Sequence, residues 1–116
     1  MSNNNDLSQP VEDLREAVSK FLIPVQTTRA VDVDAFQILY ERAIGAVRMC
    51  KGRPDVPKAL LVELLGTYSV LRAEAPYLGA KRQVLEGMAD KVESCFRMIL
   101  ADEVPEERQA GVPRIV

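Results

Sequence analysis

Apolar residues recur at helical spacing along most of the chain, and most strongly over residues 78–100, LGAKRQVLEGMADKVESCFRMIL. Leu78, Leu85, Val92 and Ile99 repeat every seven residues, Met88 and Cys95 fall between them, and Val84, Phe96 and Leu100 widen the seam. On a helical wheel these side chains cover roughly 160°, more than a plain surface helix needs. The pattern predicts a long final helix running to about Ala101. Its apolar arc would be covered on two sides, by its own chain and by a second copy. Its polar face carries Lys81, Arg82, Glu86, Asp90, Glu93 and Arg97.

Three more helices are predicted before it. Ser8 can cap the first, with Pro10 in its opening turn. Val11, Leu14, Val18 and Phe21 form its stripe, and Pro24 should end it near Leu22. Residues 23–31, IPVQTTRAV, read as an extended segment lying on the bundle, or as an edge strand. Asp32 or Asp34 caps the second helix. Phe36, Leu39, Tyr40, Ala43, Ile44, Val47 and Cys50 make its core stripe, and Ile38 and Met49 fall on the opposite face beside Ala35 and Ala46. Gly52 ends it.

Asp55 should open the third helix, with Pro57 in its first turn. Leu60, Leu61, Leu64, Leu65, Tyr68 and Leu71 form its stripe, with Val62 and Val70 off it, and Ala75-Pro76 closes it. Residues 1–7 and 109–116 are expected to be flexible or extended, the ending GVPRIV around Pro113. The expected fold is all-α, an antiparallel bundle of about four helices in one domain spanning residues 1–116. Gly45, Gly66 and Gly87 stand 21 residues apart, each inside a predicted helix. Either three backbones cross closely at mid-bundle, or the spacing is coincidence.

Composition sharpens this picture. Of 116 residues 47 % are hydrophobic but only 5 % aromatic, with no Trp. The core must be aliphatic, which favours packed helices over a β-sandwich. The net charge of −2 gives no general attraction to nucleic acid or anionic membrane. The polar start MSNNNDLSQP lacks the basic and apolar regions of a signal peptide. The longest apolar stretch, residues 59–65, is too short to span a bilayer. A cytoplasmic protein is expected, with Cys50 and Cys95 as reduced core residues.

The absence of His removes the commonest general base and metal ligand. No cysteine spacing or glycine loop points to a metal or phosphate site. Asp32 and Asp34 are explained by helix capping. An enzyme is therefore not expected, nor any cofactor. Arg48, Lys51, Arg53 and Lys58 cluster around the second turn and could meet DNA phosphates. They suit a solvated helix end better, where cations favour the dipole. The helix that follows opens with Pro57 and runs aliphatic, a poor recognition helix, so direct nucleic-acid binding is not expected. The apolar surplus points instead to a protein interface. Its candidate residues are Ile38, Met49, Val62, Val84, Met88 and Val92. A homodimer and a protein partner are expected. The alternatives are a small DNA-binding regulator using the basic cluster, or a secretion chaperone or assembly adaptor.

The polar lead VEDLREAVSKFLIP, the Asp-capped DVDAFQILYERAIGAV, the long final helix and the ending VPRIV together form an organisation. It resembles the small all-helical anti-activators of bacterial quorum sensing, of the TraM and QslA kind. A further helix over residues 55–75 departs from the two long helices of TraM. The resemblance implies a cytoplasmic helical dimer that binds a LuxR-type transcription factor and keeps it from DNA. It assigns no binding residue in this chain.

Overall fold

Four helices carry the chain in the computed structural model, which describes residues 6–108: α1 (Ser8–Thr28), α2 (Val33–Cys50), α3 (Lys58–Glu74) and α4 (Arg82–Ala101). Short 3-10 turns lie at Ala75–Tyr77, Gly79–Lys81 and Pro105–Glu107, and no strand occurs among the described residues. Residues 1–5 and 109–116, with the ending GVPRIV, lie outside the described residues.

Each helix boundary has a local cause. Leu7, expected to belong to a flexible lead, is buried in the core and precedes the first turn of α1. Ser8 is the first helical residue rather than the cap, which is Leu7, and Asp6 Oδ1 accepts from the Ser8 N–H at 2.9 Å and the Ser8 hydroxyl at 2.6 Å. Pro24 does not stop α1, and residues 23–28 are helical rather than extended. A proline ring removes one ladder hydrogen bond and crowds the carbonyl four residues back. Burial of Leu22 and Val25 on the core side outweighs that loss. The helix ends at Arg29, in the left-handed region at φ 57°, and the Pro24 carbonyl accepts from the Ala30 N–H at 3.1 Å. Asp32 caps α2, accepting from the Ala35 N–H at 3.0 Å. Helix α3 begins at Lys58 and not at Asp55, because Pro57 holds Val56 out of helical conformation. Gly79, at φ +53°, breaks residues 78–81 from α4, so that helix starts at Arg82 instead of Leu78.

The helices form a ring in which α1 and α4 each pack against both α2 and α3. Neighbours along the chain run antiparallel: Phe21 meets Phe36 with ring centroids 5.2 Å apart, and Tyr68 meets Phe96 at 5.8 Å. Across the two hairpins the helices run parallel. Arg15 on α1 hydrogen-bonds Glu63 on α3 at 3.1 Å, and Lys91 on α4 sits 5.4 Å from the Tyr40 ring on α2. The seven-residue link between α2 and α3 makes this possible, carrying the chain across the diagonal of the ring. At one end the Arg29 guanidinium donates to the Tyr77 carbonyl at 3.1 Å, joining the two hairpin turns. At the other, Lys51 Nζ donates to the Asp102 carbonyl at 2.7 Å and the Gly52 N–H to Asp102 Oδ1 at 2.8 Å.

The aliphatic core runs through all four helices, with Leu14, Phe21, Leu39, Val47, Leu64, Leu71, Leu85 and Val92 among its buried side chains. Several predicted positions shift. Ala46 is buried and Met49 half-buried against the core, so they do not share an outer face with Ile38. Val70 also packs on the core. Leu65 and Leu100 are exposed rather than seam residues, and Phe96 is half-buried rather than enclosed. The wide arc of α4 is mostly consumed within one chain, because α2 and α3 cover it from two sides. A Cβ added at Gly45, Gly66 or Gly87 would meet nothing within 4 Å, so no close backbone crossing explains their spacing. Among the described residues no helix is long and apolar enough to cross a membrane.

Candidate functional site

The α2 and α4 amino-terminal halves lie side by side and leave a groove of about 290 Å³ between them. Parallel packing is what creates it. Positions one turn apart on α2, Val33 and Phe36 with Gln37, face Val84 and Met88 on α4. Phe36 and Met88 are buried and form its floor. Val33 and Val84 stand on its walls, 62 % and 48 % exposed. Gly87 lines the groove without a side chain. The only formal charge among the lining residues is Lys91, whose ammonium rests over the Tyr40 ring. Gln37 and Gln83 add neutral donors and acceptors at the rim. Of the two helix amino-termini at this end, that of α2 is already met by the Asp32 carboxylate with Asp34 in its first turn, and that of α4 has no acidic residue in its first turn. The groove can therefore hold an apolar segment.

Of the predicted interface residues, Val84 and Met88 meet in this groove. Val92 is fully buried in the core and cannot touch a partner. Met49 sits in a separate, smaller groove against Pro10 and Asp13 of α1, among Glu41 and Arg42. Ile38 and Val62 are 50 % and 63 % exposed, on different helices and away from the α2/α4 groove. Val33 was not among the predicted contacts. Its signal was available, an apolar residue wedged between two acids at a helix start, but the capping reading of Asp32 and Asp34 absorbed it.

The basic cluster does not present four unpaired cations. Arg48 donates to both carboxylate oxygens of Glu106 and Lys51 Nζ to Glu107 at 3.1 Å. These hydrogen bonds hold both carboxyls below the usual glutamate range: in Glu106 the Arg48 contact leads, in Glu107 the Val104 N–H leads and Lys51 follows. A further cleft, about 370 Å³ by α1 and the link before α3, is lined in part by charged groups that pair locally, Arg15 with Glu12 and Glu63. Burial pushes the Cys95 thiol up to about 12 and raises that of Cys50, so neither is a thiolate at neutral pH. Among the described residues no three His, Cys, Asp or Glu side chains group closely enough to hold a metal ion. No family model matches the chain, and no curated protein or solved structure matches it either.

Proposed function

We propose that this protein is a non-enzymatic, protein-binding inhibitor that takes up an apolar segment of its partner in the α2/α4 groove. The observation that carries this reading is the pair Val33 and Val84, two large apolar side chains exposed on facing walls above a buried apolar floor. Exposed apolar surface concentrated in a concave site marks a binding surface more often than scattered single residues do. An amphipathic helix that lays its apolar face in such a groove is a common mode of recognition. The partner is a LuxR-type transcription factor, a choice that rests on the organisational resemblance to quorum-sensing anti-activators. Sequestration then acts by mass action, its effect set by inhibitor concentration over dissociation constant.

A reporter driven by the activator tests this. Co-expressed wild-type protein should silence it, and Val84→Asp should relieve silencing while keeping full helicity. If wild-type protein leaves the reporter unchanged with every LuxR-type activator of its own host, the anti-activator reading is wrong.

A further inference from the structure

We infer that the carboxyl end of α2 is a docking site for an acidic peptide, occupied in this structure by the chain's own residues 102–107. Three donors gather there. Arg48 presents two guanidinium N–H groups, Lys51 its ammonium and Gly52 its backbone N–H. The segment after α4 answers each of them. Glu106 accepts both Arg48 bonds at 2.9 Å, and Glu107 accepts from Lys51 Nζ at 3.1 Å. The Asp102 carbonyl accepts from Lys51 at 2.7 Å, and the Asp102 carboxylate from the Gly52 N–H at 2.8 Å. The guanidinium fork matches a carboxylate bidentately. The main-chain carbonyl distinguishes a peptide from a phosphate chain, because Lys51 bonds it and a side-chain carboxylate together.

Three observations make residues 102–107 a detachable occupant. Helix α4 is finished before them: Asp102 turns at φ 56° and the Glu103 N–H closes onto the Met98 carbonyl at 2.8 Å. The segment also holds its own shape. Buried Glu103 pairs with Arg108 at 2.6 Å, the Val104 N–H donates to Glu107 Oε1 at 3.0 Å, and the Glu107 N–H donates to the Val104 carbonyl at 2.9 Å. Its apolar residues, Val104 and Pro105, are half-buried and stay outside the core cluster. Charge therefore fastens it to α2, through side chains that are 41–63 % exposed. Exposed pairs of this kind each contribute little. A partner that carries the same acceptors competes with the segment, against the effective concentration that its short tether provides. The site lies at the opposite end of α2 from the α2/α4 groove, and it stands whether or not that groove binds an activator.

Fluorescence anisotropy on the full chain tests this, with a labelled peptide of the segment's own sequence, DEVPEE, as the probe. The double variant Glu106→Gln, Glu107→Gln releases Arg48 and Lys51. It should bind the peptide about tenfold more tightly than wild type, since the open site is then the populated one. Adding Arg48→Gln and Lys51→Gln should remove that gain, and so should high salt. Equal affinity of the wild type and the Glu106/Glu107 variant for the peptide overturns the proposal. Tighter binding of a labelled DNA duplex than of the peptide also overturns it, by making this a phosphate site. Amide NMR keeps the test open if the fourfold variant unfolds. In the Glu106/Glu107 variant the Gly52 N–H resonance should shift on adding peptide, and that of Gly66 in α3 should not. A Gly52 resonance that stays in place overturns the proposal.

Discussion

Arg48 donates two parallel hydrogen bonds, each 2.9 Å, to the carboxylate of Glu106, 58 positions further along the chain. With Lys51 on Glu107 and on the Asp102 carbonyl, this pair ties the end of α2 to the segment after α4. The ion pairs are exposed, so each adds little alone. Their direction with pH is nevertheless defined. The folded state holds Glu106 and Glu107 below the ordinary value of 4.5. Carboxyls depressed in this way contribute stability above their unfolded pKa and lose it as pH falls through the folded one. Glu93, held down by Arg97 and then Arg72, acts in the same sense. Melting followed by circular dichroism should therefore stay level at mildly acidic pH and decline below about pH 4.5. Glu106→Gln should make that decline shallower. Identical declines in both proteins would show that the pair contributes nothing.

Leu64 and Phe96 should respond unequally to truncation. Leu64 is fully buried, so Leu64→Ala should cost about 2–5 kcal/mol in urea denaturation. Phe96 packs one edge on Tyr68 and keeps another in solvent. Phe96→Ala should cost less than the about 3–5 kcal/mol of an enclosed phenylalanine. A larger loss at Phe96 than at Leu64 would mean its exposed edge is covered in solution.

Pro24→Ala should stabilise the protein. The helix already runs through this position, and alanine restores the missing N–H towards the Lys20 carbonyl. The gain is bounded by the about 3 kcal/mol difference in helix propensity between the two residues. It is reduced because proline also restricts the unfolded chain. Chemical denaturation of the two proteins would show it, and a loss of stability would point to ring packing worth more than the hydrogen bond.

Two glycine substitutions should act in opposite directions. Gly66 lies inside α3 with open space where a Cβ would go, so Gly66→Ala should add about 0.5–1 kcal/mol. Gly52 has φ +82°, a left-handed conformation that alanine adopts only with strain. Gly52→Ala should lower the thermal midpoint although nothing crowds the site. Equal effects from both would show that backbone conformation is not what distinguishes them.

Periodicity located the faces of these helices well, because burial follows the 3.6-residue repeat wherever a neighbour runs alongside. Phe36, Leu39, Ala43, Val47 and Cys50 were all legible in that way. It could not tell how far a neighbour extends across a face. Leu65 and Leu100 sit on apolar stripes and yet face solvent, while Met49 and Ala46 lie off the stripe and are covered. Pro24 misled because a local rule was weighed without the tertiary burial of Val25. Of the candidate site, Val84 and Met88 were readable from their helix. Their meeting with Val33 was not, since it depends on two helices lying parallel, which no single helical repeat encodes. Likewise, the charges of Arg48 and Lys51 looked like an open cluster because their counterions come from residues 106 and 107.

The parallel packing of the hairpins gives the chain a nearly uniform arithmetic. Arg15 bonds Glu63 and Arg29 bonds Tyr77 across 48 positions, and Lys51 and Gly52 meet Asp102 across 51 and 50. Within each hairpin, contacts close over short loops at small entropic cost. The longer-range contacts fall between 48 and 58 positions apart, so they form together when one finished hairpin packs onto the other. Folding should thus proceed as two local events followed by a single docking step. The link of residues 51–57, which spans the diagonal and lays Val56 against the core, is the element whose length sets the rate of that last step.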